Sequence, residues 1–214
     1  MGAILIAVDG PAGSGKSTLA HALARALDLP YVNTGLMYRA LAAAAIGDGV
    51  SPDDPDALLE VARGLRFRLA GEEPVQLKVE GYGRAELTTP DVESTVSAVS
   101  RHPAVRRWMC ERQRGFGREG AVMEGRDIGS VVLPDARLKL FLRAEVGERA
   151  ARREAERSYG DTTPIGARDA RDARTTPLEP TPDAVVLDTG TLGIDATLAE
   201  ALRLVAERWP DIVR

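Results

Sequence analysis

Gly10-Pro11-Ala12-Gly13-Ser14-Gly15-Lys16-Ser17-Thr18 has the spacing of a phosphate cradle: a glycine, four residues, then glycine, lysine and serine. Phosphate oxygens are anionic acceptors. Glycines let the chain lie close to them and turn several N–H groups inward. A helix starting at Lys16 adds the positive end of its dipole. Lys16 supplies a full charge at the β- and γ-phosphates, and Ser17 a hydroxyl for Mg²⁺. The whole run from Gly10 to Thr18 is expected to hold the phosphates of a nucleoside triphosphate. The flanks fit, because the apolar run Ala3–Val8 precedes the loop and a helical pattern follows it.

A cradle that passes phosphate onward needs a second site opposite it and cations that close over the transferred group. Arginines supply candidates. Arg39 lies one turn into the helix after Asn33-Thr34-Gly35, and Arg126 follows an apolar run in Glu124-Gly125-Arg126-Asp127. Arg149, Arg152 and Arg153 share a helical pattern, with Arg149 and Arg153 four apart on one face; Arg149 is expected on the donor side and Arg153 among the catalytic cations. Arg168, Arg171 and Arg174 recur every third residue. On its own such a charge run is usually a solvated, ion-paired face; the cradle makes these residues candidates.

The elements that must position them can be read from the apolar periodicity. Five buried strands, at about residues 3–8, 29–32, 121–125, 137–142 and 183–188, alternate with helical patterns. This is an α/β chain with a mainly parallel, doubly wound sheet, whose ligands bind at the carboxyl ends of the strands. The polar, glycine-containing segments Asp9-Gly10, Asn33-Thr34-Gly35, Glu124–Asp127 and Asp188-Thr189-Gly190 all fall there. Helices are expected at 16–27, from Gly35 to Ile46, from Ser51 or Asp53 to about Leu65, from Pro90 to about Glu119 with a break at His102-Pro103, at 145–158 and at 194–209. Period-two alternation at about residues 65–88 predicts a small antiparallel insertion. The whole is read as one domain, with a core at about 1–64, 119–158 and 184–214. An acceptor-binding insertion spans about 65–118, and a short mobile lid about 159–183.

Bulk properties narrow the partners. The 214 residues carry a net charge of −4, with 28 Lys plus Arg, so no nucleic-acid-binding surface is expected. No stretch approaches a membrane span, and the apolar run before Asp9 is too short for a signal peptide. A single cysteine, Cys110, precludes an internal disulfide and suits a reducing cytoplasm. The two histidines, His21 and His102, are far apart and suggest no metal cluster. A monomer is expected. There is no Asn-Lys-x-Asp for reading guanine after a late strand, and no signature of a transport ATPase. A small-molecule kinase fits best.

Taken in order, IAVDGPAGSGKSTLA, YVNTGLMYRALA, VSAVSRHPAVR, EGRDIGSVVLPDA, KLFLRA, RDARDA and DAVVLDTGTLGI resemble the bacterial cytidylate kinases through almost the whole chain, the small β insertion included. The resemblance implies a P-loop nucleoside monophosphate kinase that moves a phosphoryl group from ATP to CMP or dCMP with Mg²⁺. Carried over by position, it places Thr34, Arg39 and Arg126 at the acceptor phosphate, and Ser97, Arg106 and Asp127 at the cytosine ring. It places Arg168 and Asp172 on the acceptor's sugar and phosphate side. Lys16, Arg126, Arg153 and Arg168 are then the catalytic cations, and Ser17 the protein's metal ligand. Cytosine offers an amino donor at N4 and acceptors at N3 and O2, which suit a carboxylate, a guanidinium and a hydroxyl. Asn33 stands where the family usually has Asp, Glu124 where Asp is frequent, and the spacing from Asp172 to Pro177-Leu178 is one residue tighter than in many members. The alternatives are a P-loop kinase of another small acceptor, such as UMP, and a nucleotide-binding module without turnover.

Overall fold

The computed structural model describes residues 3–156 and 178–211; in the helix ending at Glu156 it describes side chains through Arg152. At its centre is β1 (Leu5–Asp9), parallel on one side to β5 (Ala121–Gly125) and on the other to β6 (Leu138–Arg143). β2 (Tyr31–Asn33) joins β5, and β7 (Val185–Asp188) joins β6, both in parallel. These are the five strands expected from sequence. β1, β5 and β6 are almost continuously apolar because helices cover both faces, as parallel sheets require.

Strand alternation divides the interior in two. Ile6, Val8, Leu138, Leu140 and Leu142 face α1 (Lys16–Ala26) and the last helix, α7 (Ile194–Arg208), through Leu19, Leu23, Leu204 and Val205. Ala7, Val32 and Met123 face the other side. There Met37 and Leu41 of α2 (Thr34–Gly47), Leu58 of α3 (Pro55–Gly64) and Met109 of α5 (Pro103–Phe116) complete a second core.

The alternating region folds as β3 (Phe67–Ala70) antiparallel to β4 (Gln76–Val79), as expected. It is not a separate appendage. β4 pairs in parallel with β2 at Tyr31 and Gln76, and the Tyr31 N–H donates to Val75 O at 2.8 Å. The sheet thereby becomes seven-stranded, in the order β3-β4-β2-β5-β1-β6-β7. Leu77 and Val79 bury their shared face in the second core, and alternation alone does not say which existing edge a hairpin joins.

Helix ends follow local chemistry, with one correction. α3 is capped by neither Ser51 nor Asp53. Asp54 accepts from the Asp56 and Ala57 N–H groups at 3.1 and 3.0 Å, and Pro55 takes the first helical position. Thr89 caps α4 (Pro90–Ser100), and Pro103 restarts the chain as α5, the expected break. Two short pieces were not anticipated: a 3₁₀ turn at Glu86–Thr88 and a π-helical turn at Ile128–Val132, just after Arg126-Asp127. α6 (Val146–Glu156) follows β6. The expected lid lies, through residue 177, outside the described residues.

Candidate active site

The loop between β1 and α1 is gripped by its carbonyls. Arg126 Nη1 donates to Gly10 O at 2.7 Å, Lys16 Nζ to Pro11 O at 2.7 Å, Arg149 Nη1 to Ala12 O at 3.0 Å and Thr189 Oγ1 to Ser14 O at 3.0 Å. A peptide's C=O and N–H point in opposite directions, so fixing these carbonyls also fixes the amides between them. Gly13 is demanded by close approach, because a Cβ there would lie 2.7 Å from Arg149 O. Gly15 opens α1 at φ 87°, a left-handed geometry that side chains disfavour. Ser14 Oγ is buried and has no hydrogen-bond partner among the described residues. A cradle with a rigid backbone and an uncommitted hydroxyl fits a triphosphate.

Arg149 is buried to 5% exposure and also donates through Nε to Ala144 O at 3.0 Å. It braces the loop as well as carrying charge towards it. Arg152 Nη1 reaches Thr189 Oγ1 at 3.1 Å, so α6 and the turn after β7 support the cradle together.

Asp9 ends β1 beside Gly125 of β5. Its carboxylate accepts from the Ile128 N–H at 2.8 Å and the Gly129 N–H at 2.7 Å, the first amides of the π-helical turn. Burial pushes its pKa up to about 6; the two N–H bonds and the Lys16 charge pull the other way, and Asp127 adds to the rise. The strand under the cradle is thus tied to the turn that carries Arg126 and Asp127.

Across from the cradle, side chains from four elements converge. Arg106 of α5 pairs with Asp127, both partly exposed. Tyr38 of α2 lies against this pair, and burial drives its hydroxyl pKa upward. Arg39 Nε donates to Glu93 Oε1 of α4 at 2.6 Å. Ser97 follows Glu93 by one turn on the same helix. Thr34 Oγ1 donates to Glu124 O at 2.8 Å, which fixes the start of α2 against the end of β5.

A third group lies between the two sides. The Tyr31 hydroxyl donates to Glu124 Oε1 at 2.6 Å and accepts from Asn33 Nδ2 at 3.3 Å, with the Ser17 side chain close by. Burial first, and then the Glu124 charge, raise the Tyr31 pKa. Neutral Asn33 and buried Glu124 therefore stand at adjacent strand ends, joined through Tyr31 with Ser17 nearby.

The expected residues Gly10 to Thr18, Thr34, Arg39, Ser97, Arg106, Arg126, Asp127 and Arg149 all belong to this edge of the sheet and the helices beside it. The Arg153 side chain, Arg168 and Asp172 lie outside the described residues. Sequence reasoning missed Asp9, Tyr31, Glu93 and Thr189 as site residues. Asp9 had a signal, a carboxylate closing an apolar strand directly before the cradle; Glu93 had none, because its partner is 54 residues away.

A family model described as Cytidylate kinase matches residues 6–207. The chain is 42% identical over 219 residues to the cytidylate kinase of Granulibacter bethesdensis, covering 97% of this chain and 99% of that one. It is 39% identical over 218 residues to the cytidylate kinase of a Geobacillus strain, covering 96% and 97%. It also matches a bifunctional pantoate ligase/cytidylate kinase of a Synechococcus strain, 43% identical over 204 residues and 88% of this chain, and spans 38% of that longer protein. Among solved structures, an unliganded sugar kinase from Janibacter at 15% identity covers 99% of both chains with a TM-score of 0.51, a likeness of fold alone. With the family model spanning nearly all of the sequence and two relatives aligned almost end to end, the chain belongs to the cytidylate kinase family of nucleoside monophosphate kinases.

Proposed function

We propose that the chain transfers the γ-phosphoryl group of ATP to CMP and dCMP, with the donor held by Gly10–Thr18 and the acceptor held between α2, α4, α5 and the turn after β5. The observation that carries this reading is the bond from Arg126 Nη1 to Gly10 O. It sets the residue expected at the acceptor phosphate directly against the donor cradle, as in-line transfer requires.

Thr34, Arg39 and Arg126 bind the acceptor phosphate. Asp127 accepts from cytosine N4, while Arg106 and Ser97 donate to N3 and O2. The Arg106–Asp127 pair is already formed, so the two groups reach the base in a fixed relation. Uracil would put an oxygen against Asp127. The acceptor phosphate is anionic, so no general base is needed; catalysis is alignment and neutralisation of charge spread over the equatorial oxygens. Lys16 and Arg126 supply that charge, with Arg153 of α6 and Arg168 of the proposed lid, which also carries Asp172.

Mg²⁺ fits the residues present. Ser17 offers a hard oxygen beside the cradle, and among the described residues no cluster of three or more His, Cys, Asp or Glu forms a metal cage. A Mg²⁺ held by one hydroxyl, waters and phosphate oxygens needs none. When bound, it would neutralise charge on the transferring phosphates. The division into core, acceptor-binding insertion and lid, action as a monomer and a cytoplasmic location complete the proposal. The free Cys110 supports a reducing compartment, and no described helix is long and apolar enough to cross a membrane.

The test is an ADP-release assay with ATP and Mg²⁺ over CMP, dCMP, UMP, AMP, GMP, shikimate and buffer alone. The proposal expects turnover with CMP and dCMP well above the rest. Equal rates with UMP, or ADP release without acceptor dependence, would contradict it.

A further inference from the structure

The Arg39–Glu93 pair joins α2 to α4 at the mouth of the acceptor side. The Arg39 side chain is 19% exposed and that of Glu93 only 6%. Removing a carboxylate from water is costly unless it is paired, so the contact is a built feature of the packing and not a solvated surface pair.

The geometry of the contact matters more than its charge. A guanidinium has one Nε–H and two terminal nitrogens. Here Glu93 Oε1 takes the Nε–H at 2.6 Å. The Nη1 end lies against the first turn of α2, 3.0 Å from where a Cβ on Gly35 would stand. That turn begins at Thr34, whose hydroxyl is anchored on Glu124 O. The guanidinium is therefore oriented from behind, with a terminal nitrogen carried to a helix N-terminus, where an anion is favoured. Glu93 is also one helical turn from Ser97, so α4 presents both on one face.

We infer that Glu93 is a positioning residue for the acceptor: it fixes the Arg39 guanidinium in the orientation that receives the phosphate of a nucleoside monophosphate. The inference rests on the proposed role of Arg39 at that phosphate. Two effects oppose each other. The Glu93 carboxylate repels an incoming phosphate, but the guanidinium stands between them. Without Glu93, Arg39 is a long, many-rotamer side chain that must be ordered when the acceptor binds. Orientation is the larger effect, because the carboxylate engages Nε and not the terminal pair that would face the phosphate.

The experiment is steady-state kinetics on the full chain for Glu93→Ala, Glu93→Gln, Arg39→Ala and the double variant Glu93→Ala/Arg39→Ala, with CMP and ATP varied in turn. Glu93→Ala is expected to raise KM for CMP about five- to tenfold, with KM for ATP moved less than about twofold. Glu93→Gln keeps an oxygen for the Nε–H and is expected to recover most of the loss. Once Arg39 is alanine, removing Glu93 should raise KM for CMP no further, because the two act as one unit. A KM for CMP that is unchanged or lower in Glu93→Ala, while Arg39→Ala raises it, overturns the inference and leaves the acceptor site standing. So does equal loss towards CMP and ATP with a lower Tm, which is the mark of simple helix packing. If Arg39→Ala itself leaves KM for CMP unchanged, the reading of Arg39 fails and this inference fails with it.

Discussion

The proposed donor and acceptor sides of this molecule are held by different means. The donor cradle is fixed through its main chain: Gly10, Pro11, Ala12 and Ser14 each give a carbonyl to a donor elsewhere, and Gly13 lies flush against Arg149. The acceptor side is fixed through side chains, Arg39 to Glu93 and Arg106 to Asp127, from elements 54 and 21 residues apart. Side-chain donors clamp the loop's carbonyls, so the site's shape is carried by backbone, and every triphosphate presents the same shape. Side-chain pairs can be exchanged one at a time, which suits the half of the site that must tell one base from another.

The largest expected break of this contrast is Lys16→Ala. The lysine touches a loop carbonyl and not the core, so Tm should change little while kcat falls by at least about a hundredfold. Turnover above a few per cent of the parent, measured by ADP release, would remove Lys16 from the phosphates.

Arg149→Met keeps most of the side-chain volume but leaves Ala12 O and Ala144 O without their buried donor. A lost partner of this kind costs about 1–3 kcal/mol. Its effect should fall on the donor side, with KM for ATP rising about tenfold and KM for CMP nearly unchanged. A rise confined to CMP would erase the distinction between the two sides.

The smallest expected effect belongs to Asp9, which joins them. Its folded-state pKa of about 6 lies above the ordinary 3.8. Between those values the native protein holds a proton that the unfolded chain has released, so stability falls as pH rises through the window and gains as pH is lowered. The Asn variant has no such proton. The Tm of the parent relative to Asp9→Asn should therefore increase from about pH 7 to about pH 5, by at most about 1.4 kcal/mol per pH unit in the underlying free energy. A constant difference across that range would mean that Asp9 does not titrate there.

The same contrast governs what the sequence reveals. The cradle is legible because one local run supplies the loop, the lysine and the hydroxyl, and its flanking strand and helix announce themselves by periodicity. The five parallel strands are legible for the same reason. The pairing of β4 with β2 is not, because alternation fixes which residues share a face but not which strand lies alongside. The cap of α3 falls on Asp54 and not on Ser51 or Asp53, a choice that residue type does not make, because all three are able to serve. Arg106 and Asp127 are reached through resemblance to a family, and their pairing appears only in three dimensions. Asp9 and Glu93 act on partners far along the chain, and no spacing rule connects them.

The most direct test of the account is base selectivity at Asp127. As an acceptor-only group it should favour the N4 amino group of cytosine and oppose the O4 of uracil. Measured as kcat/KM for CMP and for UMP, the parent should prefer CMP, and Asp127→Asn should lower the CMP:UMP ratio at least about tenfold, mainly by loss on CMP. An unchanged ratio, whatever happens to overall activity, would mean that the base is read elsewhere.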